Sequence, residues 1–127
     1  MKKQDLPLSP HLQIYKPQIT SLLSISHRIS GVALNFMLVI LVLGLLCITL
    51  GESYFELLIS LITFFPIKII IFLAILGFSY HFLNGIRHII WDFGFLLGNR
   101  SSAIFGYIII AISFISSIFI SRLLGLF

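Results

Sequence analysis

The sequence contains few charged residues and a single cysteine. Only 9% of its 127 residues are Asp, Glu, Lys or Arg, and 59% are hydrophobic. A soluble domain carries about 25% charged and about 45–50% apolar residues, so this chain folded in water would expose large aggregation-prone apolar patches. The composition therefore excludes an ordinary soluble enzyme domain, a nucleic-acid-binding protein and a disordered tail. Cys47 alone forms neither an internal disulfide nor a cysteine-cluster metal site.

Three long stretches without charge follow one another along the chain, at residues 29–51, 69–86 and 101–121. A hydrocarbon core about 30 Å thick is crossed by roughly 20 helical residues, and lipid offers backbone groups no partners except their own. The sequence predicts an all-α integral membrane protein, a single domain over residues 1–127 with spans near 29–50, 67–88 and 102–122. Pro66 is expected in the first turn of the second helix, where its missing N–H costs nothing.

Basic residues are distributed unequally between the two sides of this arrangement. The N-terminal segment and the loop between the second and third spans share one side, which holds Lys2, Lys3, Lys16, Arg28, Arg87 and Arg100. The opposite side holds Lys68 and Arg122, together with Glu52 and Glu56. Because an excess of Lys and Arg marks the inside of a membrane, the N-terminus is predicted inside and the C-terminus outside.

Residues 1–20 have no apolar core of the kind that a cleavable signal peptide contains. They include Pro7, Pro10 and Pro17, which block helix formation and favour extended backbone. We expect an extended arm on the inside of the membrane, which would be ordered only against another protein surface. Composition alone favours neither the ordered arm nor a flexible tail.

A polar stripe occupies the inside half of the first helix. At 100° per residue its members lie within about 100° of one another; they are Ser24, His27, Arg28, Gly31 and Asn35. Ionisable groups inside a membrane helix are costly and mark function. The structural alternative is that Arg28 reaches to the interface as an anchor while the serine and asparagine join helices.

A second polar stripe follows the second helix and contains Gly77, His81, Gly85, His88 and Asp92. Glycines one turn before and after His81 leave a flat surface that a planar macrocycle could occupy; the alternative is close helix packing with His81 hydrogen-bonded to a neighbour. A haem iron at His81 could direct its propionates towards His27 and Arg28, which lie about 9 Å nearer the inside boundary. Zinc is less favoured, because no cysteine or carboxylate completes a tetrahedron with the histidines.

Two runs of sequence resemble the cytochrome b-type large membrane anchor of succinate dehydrogenase, respiratory complex II. PLSPHLQIYKPQITSLLSISHRISG at 7–31 contains the family pattern S-x-x-H-R-x-[ST], here Ser24, His27, Arg28 and Ser30. HFLNGIRHIIWDFG at 81–94 contains H-x-x-x-G-[apolar]-R-H-x-x-[aromatic]-D-x-G, here His81, Gly85, Arg87, His88, Trp91, Asp92 and Gly94. The two runs cover about a third of the chain. One departure is Leu6, where many relatives carry Arg before the proline.

The resemblance implies a role for four of these residues. His81 would be one axial ligand of the iron of haem b, and the small membrane-anchor subunit, packed against this chain, would supply the other. His27 and Arg28 would face the haem propionates. Ser24 and Arg28 would line the ubiquinone site, beside the iron–sulfur subunit on the inside face. This chain would anchor the iron–sulfur and flavoprotein subunits and help form the quinone-reduction site, with no catalysis of its own.

The same resemblance places His88 and Asp92 next to this region, where they would support the residues that bind. It implies an inner membrane, either the bacterial cytoplasmic membrane or the mitochondrial inner membrane. Two other functions stay open: a haem-free structural anchor in which His81 only packs, and a small three-span channel or transporter subunit. A transporter should carry polar groups across the whole bilayer, whereas the outer half of the first span reads LVILVLGLLCITL.

The predicted topology is tested by reporter fusions. A reporter attached after residue 127 and another inserted within residues 52–64 should both read as external, because the Lys and Arg excess holds the opposite side inside. A C-terminal reporter that is active on the inside would contradict either the number of spans or the orientation.

Overall fold

The computed structural model describes residues 16–127 and contains four helices, with no strand in that range. The helices are α1 (Ile19–Thr49), α2 (Glu52–Thr63), α3 (Phe65–Asp92) and α4 (Asn99–Leu123). Three of them, α1, α3 and α4, are long and apolar enough to cross a membrane. The prediction of an all-α protein with three membrane-spanning helices is confirmed.

The long helices extend beyond most ends of the predicted spans. α1 begins at Ile19, well before residue 29, and α3 and α4 pass the predicted limits at both ends. The physical reason is that an uncharged stretch measures apolar length, whereas backbone hydrogen bonding continues through polar residues. Pro66 lies in the first turn of α3, as predicted. Of the predicted arm, residues 1–15 lie outside the described residues, and Ile19 and Thr20 already belong to α1.

Helix α2 is a feature that the sequence reasoning missed, because it treated residues 52–64 only as a connection between spans. Its 12 residues give a helix of about 18 Å, too short to cross a bilayer. Gly51, with φ of +114°, permits the reversal between α1 and α2. α2 then packs against both α1 and α3, with Leu58 reaching the Gly44 position of α1.

The side chains in the interior of the bundle are mostly polar or small rather than large and apolar. The largest fully buried side chains are Arg87, Asn84, Ser113, Ser117 and Ser121. Most large apolar side chains, by contrast, are exposed on the outside of the helices. In lipid, helices associate through close packing and hydrogen bonds rather than through hydrophobic burial, so this inverted distribution is that of a membrane protein.

Helix α4 packs through a ridge of small residues. Gly106, Ser113, Ser117 and Ser121 are all buried. Ser113 and Ser117 satisfy their hydroxyls by donating to carbonyl oxygens one turn earlier in α4, those of Ile109 and Ser113, whereas the buried Ser121 hydroxyl has no partner within residues 16–127. The ridge therefore brings helix backbones close together and pairs two of its three serine hydroxyls.

α1 and α4 pack closely at Gly106. A Cβ atom at this position would collide with Cδ1 of Leu23 on α1 and would come within 3.6 Å of Nη2 of Arg87 on α3. Leu23 is itself held by α3, since the Tyr80 hydroxyl donates a 2.7 Å hydrogen bond to its carbonyl oxygen. Three helices therefore meet at one glycine.

Gly106→Ala is expected to lower the thermal stability of the detergent-solubilised protein. The added methyl group must displace Leu23, and overpacking of this kind costs about 1–3 kcal/mol, more than the roughly 1 kcal/mol that alanine gains over glycine in a helix. Gly44→Ala is the matched control, because its Cβ would lie at an ordinary 3.8 Å from Leu58. Equal melting temperatures of the two variants, measured by size-exclusion after heating, would contradict this account.

Candidate functional site between the first and third helices

The two polar stripes predicted from the sequence meet between α1 and α3. The imidazole rings of His27 and His81 stack, with centroids 4.1 Å apart and planes inclined by 12°. His88 lies on the other side of His27, with a centroid distance of 5.2 Å and a tilt of 40°. The structure thus brings together the three histidines that the sequence reasoning singled out near the membrane.

Reciprocal hydrogen bonds fix the orientation of His27 and His81. Nδ1 of His81 lies 3.1 Å from the carbonyl oxygen of His27 and 3.1 Å from Oγ of Ser30. In return, Nε2 of His27 lies 3.2 Å from the carbonyl oxygen of His81. Because a carbonyl oxygen only accepts, these contacts place the proton of His81 on Nδ1 and leave a lone pair on its Nε2.

Gly31 on α1 makes room for the His81 ring. A Cβ at Gly31 would lie 2.9 Å from Cε1 of His81, closer than such atoms pack. The sequence reasoning gave Gly77 and Gly85, on the same helix as the histidine, a different role, a flat surface for a planar macrocycle. In the structure a Cβ at Gly77 would meet nothing within 4 Å, and one at Gly85 would face Nε2 of His27 at 3.9 Å. The glycine that admits the imidazole comes from the opposite helix, since the ring points across the α1–α3 contact.

Ser24 and Arg28 line a groove at the end of the bundle where α1 begins and α3 ends. We name it the Arg28 groove; its volume is about 350 Å³ and its lining residues are Thr20, Ser21, Ser24, Ile25, Arg28 and Trp91. The Arg28 side chain is exposed and Ser24 is half-buried. A cation and a hydroxyl one helical turn apart therefore face the same space, as the polar stripe on α1 predicts.

Trp91 is a component of the groove that the sequence reasoning missed, because it treated the residue only as part of the second family motif. The half-buried indole lies edge-on to His88 at 5.1 Å and under the guanidinium of Arg87 at 4.1 Å. Trp91 stands ten residues after His81 along α3, which put it near the helix end in the sequence. Its partners, Arg87 and His88, lie four and three residues earlier on the same face of α3. The helical periodicity of the sequence could therefore have predicted these contacts.

Arg87 is the second residue whose role was missed. The sequence reasoning counted it among the charges of the inside loop, yet its side chain is 0% exposed. Nη2 donates 3.0 Å hydrogen bonds to both the carbonyl oxygen and Oγ of Ser102 on α4, and Nη1 donates to Oδ1 of Asn84 at 3.3 Å. The orientation of the chain in the membrane remains a prediction. Since Arg87 is buried, one fewer exposed basic residue supports it.

Two predicted residues stand apart from these contacts. Asp92 is exposed at the last position of α3 and forms no ion pair within residues 16–127. Asn35 is also exposed, and its side-chain amide donates to the carbonyl oxygen of Gly31 on its own helix at 3.1 Å. No group of three metal-ligating side chains occurs in the described part of the chain. His81 would therefore need a ligand from another molecule to complete an iron site.

Comparison with known proteins agrees with the two motifs and with the three long helices. Residues 2–120 match the family described as the succinate dehydrogenase/fumarate reductase transmembrane subunit. The chain is 43% identical over 107 residues to the succinate dehydrogenase cytochrome b556 subunit of Rickettsia typhi, a match that covers 84% of this chain and 83% of that protein.

Relatives from an alga and a liverwort are equally similar. The succinate dehydrogenase cytochrome b560 subunit of Chondrus crispus is 44% identical over 104 residues, covering 76% of this chain and 78% of that protein. The subunit of the same name from Marchantia polymorpha is 45% identical over 101 residues, covering 75% and 73%. The residues that match the family include both polar stripes, all of α1 and α3 and most of α4.

Proposed function

Because the chain belongs to the family of succinate dehydrogenase and fumarate reductase transmembrane subunits, we propose that it binds haem b through His81 and forms part of the quinone-reduction site. The observation that carries the proposal is the orientation of His81 in the α1–α3 contact. Membership of an enzyme complex also explains why a chain with so much exposed apolar surface carries a buried polar cluster at one end.

The His81 side chain has the chemistry of an axial haem ligand. A histidine that binds a metal through one ring nitrogen donates the other N–H to a carbonyl oxygen, which fixes the tautomer and the ring plane. Nδ1 of His81 has this arrangement with the carbonyl of His27 and Oγ of Ser30, and Nε2 forms no hydrogen bond within residues 16–127. The residues present therefore fit the group, which would supply one-electron transfer when bound.

As the family resemblance implies, the small membrane-anchor subunit would supply the other histidine ligand. Ring stacking of His27 on His81 at 4.1 Å restrains the ligand ring on one face. His27 and Arg28 are proposed to face the propionates, as the family resemblance implies. Nε2 of His27 is bonded to the carbonyl oxygen of His81, so only its Nδ1 is left for such a contact. The exposed guanidinium of Arg28 can donate to a propionate and neutralise its charge.

The Arg28 groove is proposed as this chain's contribution to the ubiquinone site. Quinone reduction takes up two electrons and two protons, so donors aimed at the developing quinol oxygens stabilise the reaction. Arg28 supplies a permanent cation and Ser24 a hydroxyl, both lining the same groove as Trp91. The groove is open on the chain's surface, and the iron–sulfur subunit and the small anchor subunit would close it.

Succinate oxidation itself would belong to the flavoprotein subunit, as the family resemblance implies. The chain would attach the flavoprotein and iron–sulfur subunits to the membrane and hold the terminal electron acceptors of the complex near them. A reduced-minus-oxidised visible spectrum of the purified complex separates this function from that of a haem-free anchor. The absence of a haem b band would favour the haem-free anchor.

His81→Ala is expected to change the visible spectrum and the midpoint potential of the haem in the purified complex, because one axial nitrogen is lost. Ser30→Ala removes only one of two hydrogen-bond partners of Nδ1 and should shift the potential less. Haem retained by the partner subunit is compatible with the proposal. An unchanged spectrum together with an unchanged potential in His81→Ala would show that another residue is the ligand.

Arg28→Leu is expected to lower succinate–quinone reductase activity about tenfold or more, while oxidation of succinate by a soluble artificial acceptor stays largely intact. A charge-assisted hydrogen bond contributes about 1.5–3 kcal/mol, which corresponds to roughly tenfold or more in rate if it forms at the transition state. Ser24→Ala should lose less, and Arg28→Lys should recover only part, since an ammonium lacks the planar fork of the guanidinium.

Arg122→Leu is the matched control for Arg28→Leu, because it removes an exposed arginine from the last turn of α4 at the opposite end of the bundle. Haem content is measured in parallel, since Arg28 is also proposed to face a propionate. Quinone reduction that is unchanged in Arg28→Leu would remove this residue from the site. Equal loss of both activities would indicate failed assembly, and Ser24→Ala would then carry the test.

A further inference from the structure

Arg87 is a fully buried cation without a carboxylate partner in residues 16–127. Its side chain is 0% exposed, and its hydrogen bonds go to neutral oxygens of Ser102 and Asn84 at 3.0–3.3 Å. Burying an unpaired charge is costly unless hydrogen bonds compensate it. A neutral or apolar residue would join α3 to α4 at lower cost, so simple helix packing does not account for an arginine here.

The flat face of the Arg87 guanidinium stacks on the indole of Trp91. Its central carbon is 4.1 Å from the centroid of the indole, well within the range of a cation–π interaction. The indole Nε1 is buried and has no hydrogen-bond partner among the described residues. Among the described residues the indole makes two ring contacts, the stack on Arg87 and the edge contact with His88 at 5.1 Å, and its N–H makes no hydrogen bond.

Trp91 is also the only residue of α3 among those that line the Arg28 groove; the others belong to α1. The wall opposite Arg28 and Ser24 is thus formed by an indole whose orientation is set by Arg87. Arg87 is in turn tied to the first turn of α4 through both oxygens of Ser102. A continuous set of contacts runs from α4 through the guanidinium to the groove.

We propose that Arg87 is a positioning residue for quinone binding, which holds the indole of Trp91 in place as the α3 wall of the Arg28 groove. This inference rests on the proposed function of the groove and deepens it. The guanidinium does not reach the groove itself, and its contribution is to keep the indole in one orientation. Without the stack, the indole of Trp91 adopts additional rotamers, and some of these narrow or distort the groove.

This role predicts an effect on affinity rather than on the rate of the bound complex. When only a fraction of molecules has the competent groove, the apparent dissociation constant rises by the inverse of that fraction. Once quinone is bound, the indole is in its proper place and the electron and proton transfers proceed as before. KM for quinone should therefore rise while kcat stays nearly constant.

The experiment compares Arg87→Lys with Arg122→Lys in the purified complex, with a short-chain ubiquinone analogue as substrate. Lysine keeps the charge but lacks the planar face and the forked donors that stack on Trp91 and bind Ser102. We expect KM for the quinone to rise about fivefold in Arg87→Lys, as for a groove that is competent in about one molecule in five. kcat, oxidation of succinate by a soluble acceptor and the haem spectrum should stay near those of Arg122→Lys.

A double-mutant cycle distinguishes positioning through Trp91 from a general packing defect. Trp91→Leu should raise the KM by a similar factor, and Arg87→Lys should add nothing further in the Trp91→Leu background, because the indole that Arg87 holds is gone. If the two effects multiply, or if the KM of Arg87→Lys equals that of Arg122→Lys, the proposal is wrong. Should Arg87→Lys fail to assemble, Ser102→Ala, which removes one acceptor of the guanidinium, replaces it in the same cycle.

The outcome also separates this inference from the proposed function of the groove. If quinone binds elsewhere, neither Arg28→Leu nor Arg87→Lys changes quinone kinetics. If quinone binds in the groove but Trp91 needs no support, Arg28→Leu lowers the activity while Arg87→Lys leaves KM unchanged. Both the proposed quinone site and the positioning role of Arg87 are supported only if Arg28→Leu lowers the activity and Arg87→Lys raises the KM for quinone.

Discussion

Polar groups in a lipid-embedded bundle must find their partners inside it, and the rest of the structure depends on this constraint. Helices surrounded by hydrocarbon gain little from burying more apolar surface, so they associate through small residues and hydrogen bonds. The described residues show this at two helix pairs. α1 and α3 share the reciprocal His27–His81 bonds, and α3 and α4 share the bonds from Arg87 to Ser102.

The same bonds position the candidate site. A histidine held by a carbonyl of the facing helix has a defined ring plane and a defined free nitrogen, which a solvent-exposed histidine would lack. Gly31 is required because the ring crosses the contact between α1 and α3, where any side chain would displace it. The same residues therefore determine both how α1 packs against α3 and how the proposed haem ligand is oriented.

The two proposed binding regions are linked by direct ring contacts. His27 stacks on His81 on one side and approaches His88 on the other, and His88 meets the edge of Trp91 in the wall of the Arg28 groove. A group bound at His81 and a quinone in the groove would thus lie at the two ends of a short chain of aromatic rings. This compactness suits an anchor subunit, whose acceptors must stay close to the electron donors of the subunits it attaches.

Hydrophobic length and residue spacing were enough to predict the class of fold, the three long helices and the two polar stripes. These features depend on local sequence alone, because 18 or more apolar residues form a helix in lipid whatever their neighbours are. The identity of His27, Arg28, His81 and Ser24 as the residues of interest followed from the same periodicity and from the two family motifs. Helix α2 was not predicted, because a helix of only 12 residues gives no comparable signal of hydrophobic length.

Only the tertiary structure decided which side chains face one another across helices. Arg87 looked like a loop charge, since it stands at the end of an apolar stretch. Its burial depends on the rotation of α3 against α4, which brings the guanidinium to both oxygens of Ser102. Periodicity assigns residues to faces of one helix, whereas the pairing of faces is set by the contacts of all three.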